Sequence, residues 1–318
     1  MGNLRRYYYN NKAKIWKTIL IIVSILAIIQ LINYFVKRDN ENTLQNQKTN
    51  TVQNTIVNNT SLTTDKSSTT GTKVDENKLE KEVNVVEQFL DLCNNQEFVK
   101  AYELLSDECK ENVFDNYEKF KNNYCDKIFT SKKTYTMENW AGSTYKVRIA
   151  EDILATGQTS NSGVAIQEFI TIVTNNGEKR LNINNYIGKT EFKSSNTQKG
   201  ITIKILSKNT YKDYEIYNIE VTNNTENTIY LDDGEDTSNV YIEDSNGVKH
   251  EAASSELIYS TLKINRGQTR KYSIKFTNTY ISNRKISALV FDKLILNYDE
   301  YIKNPENYKD TISFRISM

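Results

Sequence analysis

The sequence predicts a single transmembrane helix followed by an α+β domain and an all-β sandwich. Three observations support this fold class: an apolar run, a change from helical to strand periodicity, and a long succession of short alternating runs. The expected divisions are a cytoplasmic tail at 1–17, the transmembrane helix at 18–36, a disordered linker at 37–78, the α+β domain at 79–190 and the β-sandwich at 200–318.

The apolar run Thr18–Val36 has 19 residues and no charged side chain. A helix of that length covers about 28 Å, close to the hydrocarbon thickness of a bilayer. Five basic residues and no acid precede it, so the positive-inside rule predicts a cytoplasmic N-terminus and extracellular domains. Because no small-residue cleavage site follows, we expect an uncleaved signal anchor in the cell membrane, with the lipid bilayer as a partner. The Asn- and Thr-rich linker that follows is too poor in apolar residues to fold.

Composition excludes several classes of function. The chain has 41 Lys+Arg and 40 Asp+Glu, and neither predicted ectodomain shows the basic stripe that would neutralise phosphates, so nucleic acid is not expected as a partner. One His and three Cys exclude a His-rich metal centre and a four-cysteine zinc site. Nucleotide-binding, zinc-protease and nucleophile-elbow motifs are absent from the sequence, and we expect no cofactor.

The α+β domain is predicted from a change of hydrophobic period. Helical spacing of three and four comes first, in Leu79, Val83, Val86, Leu90 and Cys93, and returns in two further stretches up to Ile128. Strand alternation follows from about Tyr135, and Asn176-Gly177 between two alternating runs is a strong hairpin signal.

The segment VVEQFLDLCNNQEFVKAYELLSDECKENV, followed by these strands, resembles the nuclear-transport-factor-2-like fold, in which helices close a curved sheet into a cone. The resemblance covers about 110 residues. Membrane-anchored versions of that fold occur in conjugation-channel proteins and as N-terminal modules of penicillin-binding proteins. The resemblance implies a binder or scaffold, although the fold also hosts enzymes.

The cone could instead form a catalytic pocket. The candidates for such a pocket are the carboxylates of Glu138 and Glu168 beside Tyr135, Tyr145 or Trp140. This alternative predicts an enclosed cavity that holds an ionisable residue with a strongly shifted pKa. The simpler interpretation is that the tyrosines pack and the glutamates face water.

The three cysteines, Cys93, Cys109 and Cys125, lie in the helical part, and the first two fall on apolar stripes. We interpret them as small buried hydrophobes. The alternative is one disulfide among them, which would leave one unpaired thiol. A nucleophilic or metal-binding role would need a partner His or a CxxC motif, and neither occurs near them.

The last region is predicted to be almost entirely strands, seven or eight in number at intervals of about 8–12 residues, as in an all-β sandwich. The stretches YNIEVTNNTENTIYL and TLKINRGQTRKYSIKF resemble the immunoglobulin-like modules of Gram-positive surface proteins. This resemblance implies a fold and no particular activity.

Two local features of this region are candidates for functional sites. Four acidic residues around Gly234 could supply oxygen ligands to calcium: Asp232, Asp233, Glu235 and Asp236. They are weak candidates, because their spacing does not match that of the 12-residue calcium loop. We interpret them as a solvated turn. His250 is expected to be an exposed strand residue, and Ser254, Ser255 and Glu256 do not form a triad pattern with it.

Together these observations predict a non-enzymatic, membrane-anchored binding or scaffold protein of a Gram-positive cell envelope. Its partner would be an envelope protein or the cell wall, and an accessory of a conjugation or secretion channel is one such role. The alternative is a small-molecule-binding or isomerase-like enzyme that uses the cone as its pocket.

Overall fold

The computed structural model describes residues 62, 64, 66–73, 75–152, 165–232, 239–253, 262–281 and 283–318. Strands account for 47% of this part and helices for 22%, so its architecture is mainly β. The strands form three antiparallel sheets there, called sheets 1, 2 and 3 below. Helices pack on sheet 1 around one core, and sheets 2 and 3 share a second core.

The helices that pack on sheet 1 are α1 (Glu76–Asn94), α2 (Phe98–Glu103), α3 (Asp107–Asn112), α4 (Tyr117–Phe120) and α5 (Asp126–Ile128), with a π-helical turn at Lys121–Cys125. The first helix begins after Asp75, whose carboxylate accepts a hydrogen bond from the Lys78 N–H at 3.0 Å. The predicted apolar stripe from Leu79 to Cys93 is buried on this helix, so that helix is confirmed. Ser106 and Asn116 cap α3 and α4 in the same way.

Sheet 1 consists of β1 (Lys133–Ala141), β2 (Thr144–Glu151), β3 (Ile166–Asn175) and β4 (Glu178–Asn182), in that order. Asn176 and Gly177 join β3 to β4 with φ of 51° and 86°, which confirms the hairpin turn predicted there. Tyr145, Val147 and Ile149 alternate along β2 and are buried in the core beneath the helices.

Sheet 2 consists of β5 (Tyr186–Glu191), β6 (Ser195–Gln198), β7 (Ile201–Tyr211), β8 (Tyr214–Asn223) and β13 (Thr269–Thr277). Sheet 3 consists of β9 (Ile229–Tyr230), β10 (Val240–Asp244), β11 (Lys249–Glu251), β12 (Lys263–Ile264), β14 (Ile286–Ile295) and β15 (Thr311–Ser317). A short helix, α6 (Tyr298–Tyr301), and a 3-10 turn at Pro305–Asn307 precede β15. Alternate residues of both sheets fill the second core, among them Ile203, Tyr217, Ile219, Ile242, Phe291 and Phe314.

Strand β5 connects the two cores. It pairs with β7 in sheet 2, yet its first residue, Tyr186, packs in the first core with its ring 5.1 Å from that of Tyr211. Asn209 of β7 donates a hydrogen bond to Asn112 at the end of α3, at 2.9 Å. The division into domains at residues 190 and 200 stays a prediction.

Part of the predicted linker lies along β1. The Ser68 N–H donates to the Asn139 carbonyl at 2.7 Å, and the Ser67 hydroxyl donates to the Trp140 carbonyl at 2.7 Å. Leu62 forms a parallel bridge with Met137. Residues 37–61 of that linker lie outside the described residues.

The predicted fold class is wrong. Within the described residues, no helix is long and apolar enough to cross a membrane. The longest of them, α1, carries charges at Lys78, Glu80, Lys81, Glu82, Glu87 and Asp91, which a bilayer core would not accommodate. The described residues therefore do not support the predicted transmembrane helix, signal anchor and single-pass cell-membrane location with extracellular domains. Residues 18–36, to which the helix was assigned, lie outside the described residues.

The predominance of strands also contradicts the predicted combination of a transmembrane helix, a cone-shaped α+β domain and an immunoglobulin-like sandwich. Sheet 1 has four strands, and the next strand, β5, leaves it to pair with β7. The hydrogen bonds of β5 go to β7, in the second half of the chain. The sheet on which the helices pack therefore ends at β4, and the chain continues into sheet 2.

Candidate functional site

A buried carboxylate on sheet 1 is the centre of the candidate site. Glu168 lies on β3 directly opposite Val147 of β2, on the core side of the sheet, and the residue is 3% exposed. Its Oε2 accepts a hydrogen bond from the Tyr124 hydroxyl at 2.5 Å, and its Oε1 accepts one from the Asn184 backbone N–H at 2.6 Å. Each carboxylate oxygen thus has a donor inside the protein.

Burial raises the pKa of Glu168 to about 7, although the hydrogen bonds from Tyr124 and Asn184 act in the opposite direction. The pKa of Tyr124 is raised well above its usual value, first by burial and then by the negative charge of Glu168. The carboxyl group therefore gains or loses its proton near neutral pH, whereas the phenol stays protonated there.

Aromatic rings surround the Tyr124 side of this pair. The centroid of the Tyr124 ring lies 5.7 Å from that of Phe120 and 5.9 Å from that of Phe114. The rings of Phe89 and Phe129 lie at 6.1 Å and 6.2 Å. Packed aromatic side chains therefore surround the Tyr124 ring, whose hydroxyl reaches Glu168.

All three cysteines are buried in the same core, and all three are free thiols. Cys93 lies on α1 and Cys125 lies in the π-helical turn, and both thiols contribute to raising the pKa of Tyr124. Burial raises the pKa of Cys109 to about 12. Burial also raises the pKa of Cys93 strongly. Glu168, Tyr124, Cys93 and Cys125 are called the Glu168 cluster below.

The Glu168 cluster can exchange a proton near pH 7, which is a property that acid–base catalysts share. Both of its carboxylate oxygens nevertheless accept hydrogen bonds from the protein, and burial raises the pKa of the Cys93 thiol strongly. Among the described residues no group of three or more His, Cys, Asp or Glu side chains could hold a metal ion. The direct physical effect of the raised Glu168 pKa is to make the free energy of unfolding depend on pH.

A second buried carboxylate, Glu82 on α1, lies on the same side of sheet 1. It accepts hydrogen bonds from the Ser143 hydroxyl at 2.9 Å and the Tyr145 hydroxyl at 3.0 Å. The Nζ atoms of Lys78 and Lys179 lie 3.9 Å and 3.8 Å from its Oε1. The two hydroxyl groups donate hydrogen bonds to this carboxylate, and the two lysines form ion pairs with it, so the group links α1 to the sheet.

The other residues predicted for a catalytic pocket do not converge on Glu168. Glu138 forms an ion pair with Lys146 at 2.5 Å on the opposite face of sheet 1. Trp140 also lies on that face, with its ring 4.6 Å from that of Phe169. Tyr135 donates to Asp91 of α1 at 2.8 Å, and Tyr145 is bonded to Glu82.

The weak calcium candidates are only partly described. Asp232 is buried and accepts a hydrogen bond from Asn239 at 3.4 Å, whereas Asp233, Glu235 and Asp236 lie outside the described residues. His250 is mostly buried, with its Nε2 4.0 Å from an Asp244 carboxylate oxygen, so its predicted exposure is wrong. Ser254, Ser255 and Glu256 lie outside the described residues as well.

Sequence reasoning missed Glu82 and the partner of Glu168. A signal for Glu82 was present, because it is three residues after Leu79 and four before Val86 and so falls on the apolar stripe of the helix. Glu168 likewise alternates with Ile166 and Ile170 on a strand. No local signal connects Glu168 to Tyr124, which is 44 residues away in the chain.

Comparisons with known proteins do not identify a family. No protein-family model and no curated protein matches the chain. One solved structure, described as a functionally unknown protein from Listeria monocytogenes EGD-e, aligns over 41% of this chain and 87% of that chain, with 10% identity and a TM-score of 0.25. At that TM-score the similarity carries no conclusion about fold or function.

Proposed function

We propose that this protein is a non-enzymatic binding or scaffold protein that contacts a protein partner through the exposed face of sheet 2. The observation that supports the proposal is a broad polar surface, spanning four strands, whose side chains are already held in place by cross-strand bonds.

The outer face of sheet 2 is the side away from the second core, where side chains from β6, β7, β8 and β13 stand in rows across the strands. Its members are Thr197, Thr202, Lys204, Ser207, Asn218, Glu220, Thr222, Thr269, Lys271 and Ser273. One row is made of threonines, in which the Thr197 and Thr202 hydroxyls lie 3.0 Å apart and those of Thr222 and Thr269 lie 2.9 Å apart.

A second row on this face is an amide bridge. The Ser273 hydroxyl donates to Asn218 at 2.6 Å, and the Asn218 amide donates to Ser207 at 3.0 Å. Such bonds fix side chains before any partner arrives, which reduces the conformational entropy that binding would otherwise cost. A rigid polar face of this kind suits recognition by matched hydrogen bonds.

The charges on the outer face of sheet 2 indicate what the partner carries. Glu220 stands directly between Lys204 and Lys271 in the register of the three strands, and Lys204 pairs with it at 3.2 Å. Two lysines against one glutamate leave this row with a positive charge, so a partner with surface carboxylates would be attracted to it.

The alternative of a pocket enzyme has less support. It would need a substrate to reach Glu168, which is 3% exposed and whose partner Tyr124 is surrounded by packed aromatic rings. Both carboxylate oxygens of Glu168 also already accept a hydrogen bond from the protein. By contrast, Lys271 and Ser273 on the outer face of sheet 2 are exposed to solvent.

The test places a photo-crosslinking amino acid at Ser273 of the full-length chain, in cells of its own species. We expect a discrete protein adduct that is strongly reduced when the variant also carries Lys271→Glu, because that change reverses a charge of the contact surface. A cross-link to wall polymer alone would contradict the proposed protein partner.

A matched control places the same crosslinker, and separately the charge reversal, at Lys303, an exposed lysine between α6 and the 3-10 turn. The adduct should be absent from that position, and Lys303→Glu should not weaken the adduct formed from Ser273. Equal capture from both positions, or no capture from Ser273, would overturn the proposal. Circular dichroism spectra of all variants should coincide.

A further inference from the structure

We propose that Lys208 and Asn278 become joined by an intramolecular amide bond between their side chains, with Glu215 transferring the protons and ammonia as the second product. The inference goes beyond the proposed binding role and does not depend on it. It rests on three polar side chains that meet in sheet 2, on β7, at the start of β8 and directly after β13.

Glu215 connects the other two side chains. It lies on β8, the middle strand of the three, directly opposite Phe276 of β13. Its Oε1 accepts a hydrogen bond from Lys208 Nζ at 2.8 Å, and its Oε2 accepts one from Asn278 Nδ2 at 3.1 Å. An amine and a carboxamide are therefore both within hydrogen-bond distance of one carboxylate, which is the arrangement that a proton transfer between them requires.

Little water reaches these groups. The side chains of Lys208 and Glu215 are 17% and 7% exposed, and Asn278 is 4% exposed. A surface pair on the same sheet differs clearly, since the lysine of the Lys204–Glu220 pair is 51% exposed. Burial fixes the amine beside the carboxamide and largely excludes the water that would otherwise solvate both.

Two further donors complete the site. The Arg284 guanidinium donates hydrogen bonds to Asn278 Oδ1 and, at 2.9 Å, to the Thr279 carbonyl. A cation on Oδ1 polarises the carboxamide and stabilises the negative charge that this oxygen gains when a nucleophile adds to Cγ. The Tyr217 hydroxyl donates to Glu215 Oε2 at 3.2 Å, and burial raises the pKa of Tyr217, so the phenol stays a donor.

The reaction is the aminolysis of a carboxamide and needs no oxidant. One proton passes from Lys208 Nζ to Glu215, which leaves a neutral amine as the nucleophile. The amine attacks Asn278 Cγ, and Glu215 gives a proton to Nδ2 as the Cγ–Nδ2 bond breaks. The lysine nitrogen loses a second proton, which leaves with the ammonia as ammonium. One ammonium group and one primary amide thus become one secondary amide and one ammonium ion, so atoms and charge balance.

The position of the bond indicates its effect. It would join the two strands that flank β8, because Lys208 lies on β7 and Asn278 directly follows β13. It would close a loop of chain that runs through β8 and β13, and the loop would persist in the unfolded state. A closed loop limits the conformations of the unfolded chain. The linked chain should therefore migrate faster than the unlinked chain in a denaturing gel.

The experiment measures the intact mass of the purified full-length chain, incubated in its folded state until the mass is constant, and then maps its tryptic peptides. We expect a mass lower than that of the sequence by one ammonia, about 17 Da, and a branched peptide that joins Lys208 to Asn278. Trypsin should not cleave after Lys208, because an acylated lysine carries no charge. The full mass, or a loss of ammonia without this branched peptide, would overturn the proposal.

Three variants assign the roles. Glu215→Gln cannot accept the proton, and Lys208→Arg keeps a positive charge beside Glu215 but removes the amine, so both should keep their full mass. The matched control, Glu138→Gln, removes the carboxylate of the Lys146 pair on sheet 1 and should be linked like the wild type. A linked Glu215→Gln or Lys208→Arg chain would contradict the assignment. If Glu215→Gln does not fold, the wild-type map and Lys208→Arg still decide.

Discussion

The substitution Glu168→Gln tests whether the buried carboxyl group makes the stability of the protein depend on pH. The pKa of this group is about 7 in the folded protein, against 4.5 for an ordinary glutamate, and burial is the main cause. The glutamine side chain has nearly the same shape and can keep a bond to the Asn184 N–H, but it carries no titrating proton.

The sign of the effect follows from proton linkage. Below about pH 4.5 the carboxyl group is neutral in both the folded and the unfolded chain, so its burial carries no penalty for charge. As the pH rises from 4.5 through 7, the unfolded chain releases this proton more readily, and the folded state loses stability relative to it. The difference between 4.5 and about 7 corresponds to roughly 3 kcal/mol. Above pH 7 the loss is complete and stays constant.

The assay is urea unfolding of the full chain at several values between pH 4 and pH 8, followed by circular dichroism. The free energy of unfolding of wild type minus that of Glu168→Gln should fall by roughly 3 kcal/mol across this range. Taking the difference removes the contributions of all other groups, since both proteins share them. Parallel curves for the two proteins would refute the reasoning.

The control for this experiment is Glu138→Gln. Glu138 is a glutamate of the same sheet, but it lies on the opposite face and is 28% exposed in a pair with Lys146. Because such a half-exposed ion pair contributes at most about 1 kcal/mol, this variant should keep the pH profile of the wild type.

Three further substitutions test the surroundings of the cluster and the turn of sheet 1. Tyr124→Phe removes a hydrogen-bond donor from a buried carboxylate and should lower the free energy of unfolding by about 1–3 kcal/mol. It should also make the free energy of unfolding fall further between pH 4 and pH 8, because the lost bond was lowering the pKa of Glu168. The same pH dependence as the wild type would contradict this. Phe120→Ala leaves a cavity among the rings around Tyr124 and should cost about 3–5 kcal/mol in urea unfolding; a cost below 1 kcal/mol would mean that the core is loosely packed. Gly177→Ala places a side chain at φ of 86° and should lower the free energy of unfolding by about 1–2 kcal/mol; Gly142, at φ of 59° in the other hairpin of the sheet, offers a matched comparison.

Several elements could be predicted because their signals are local. The apolar stripe of α1 repeats within four residues, and the turn at Asn176-Gly177 depends on two adjacent residues that accept positive φ. Their prediction needed no knowledge of what the helix or the hairpin packs against.

The sequence by itself determined the hydrophobic periodicity, that is, which positions of a helix or strand are apolar. It also placed Glu82 within the apolar positions of α1 and Glu168 within those of β3. Only the tertiary structure decided which groups meet those carboxylates, that all three cysteines lie in one core, and that β5 pairs with β7. The physical reason is distance along the chain. Secondary structure is set by neighbours within a few residues, whereas the partner of a buried polar group is set by which faces pack together, and those faces come from residues tens of positions apart.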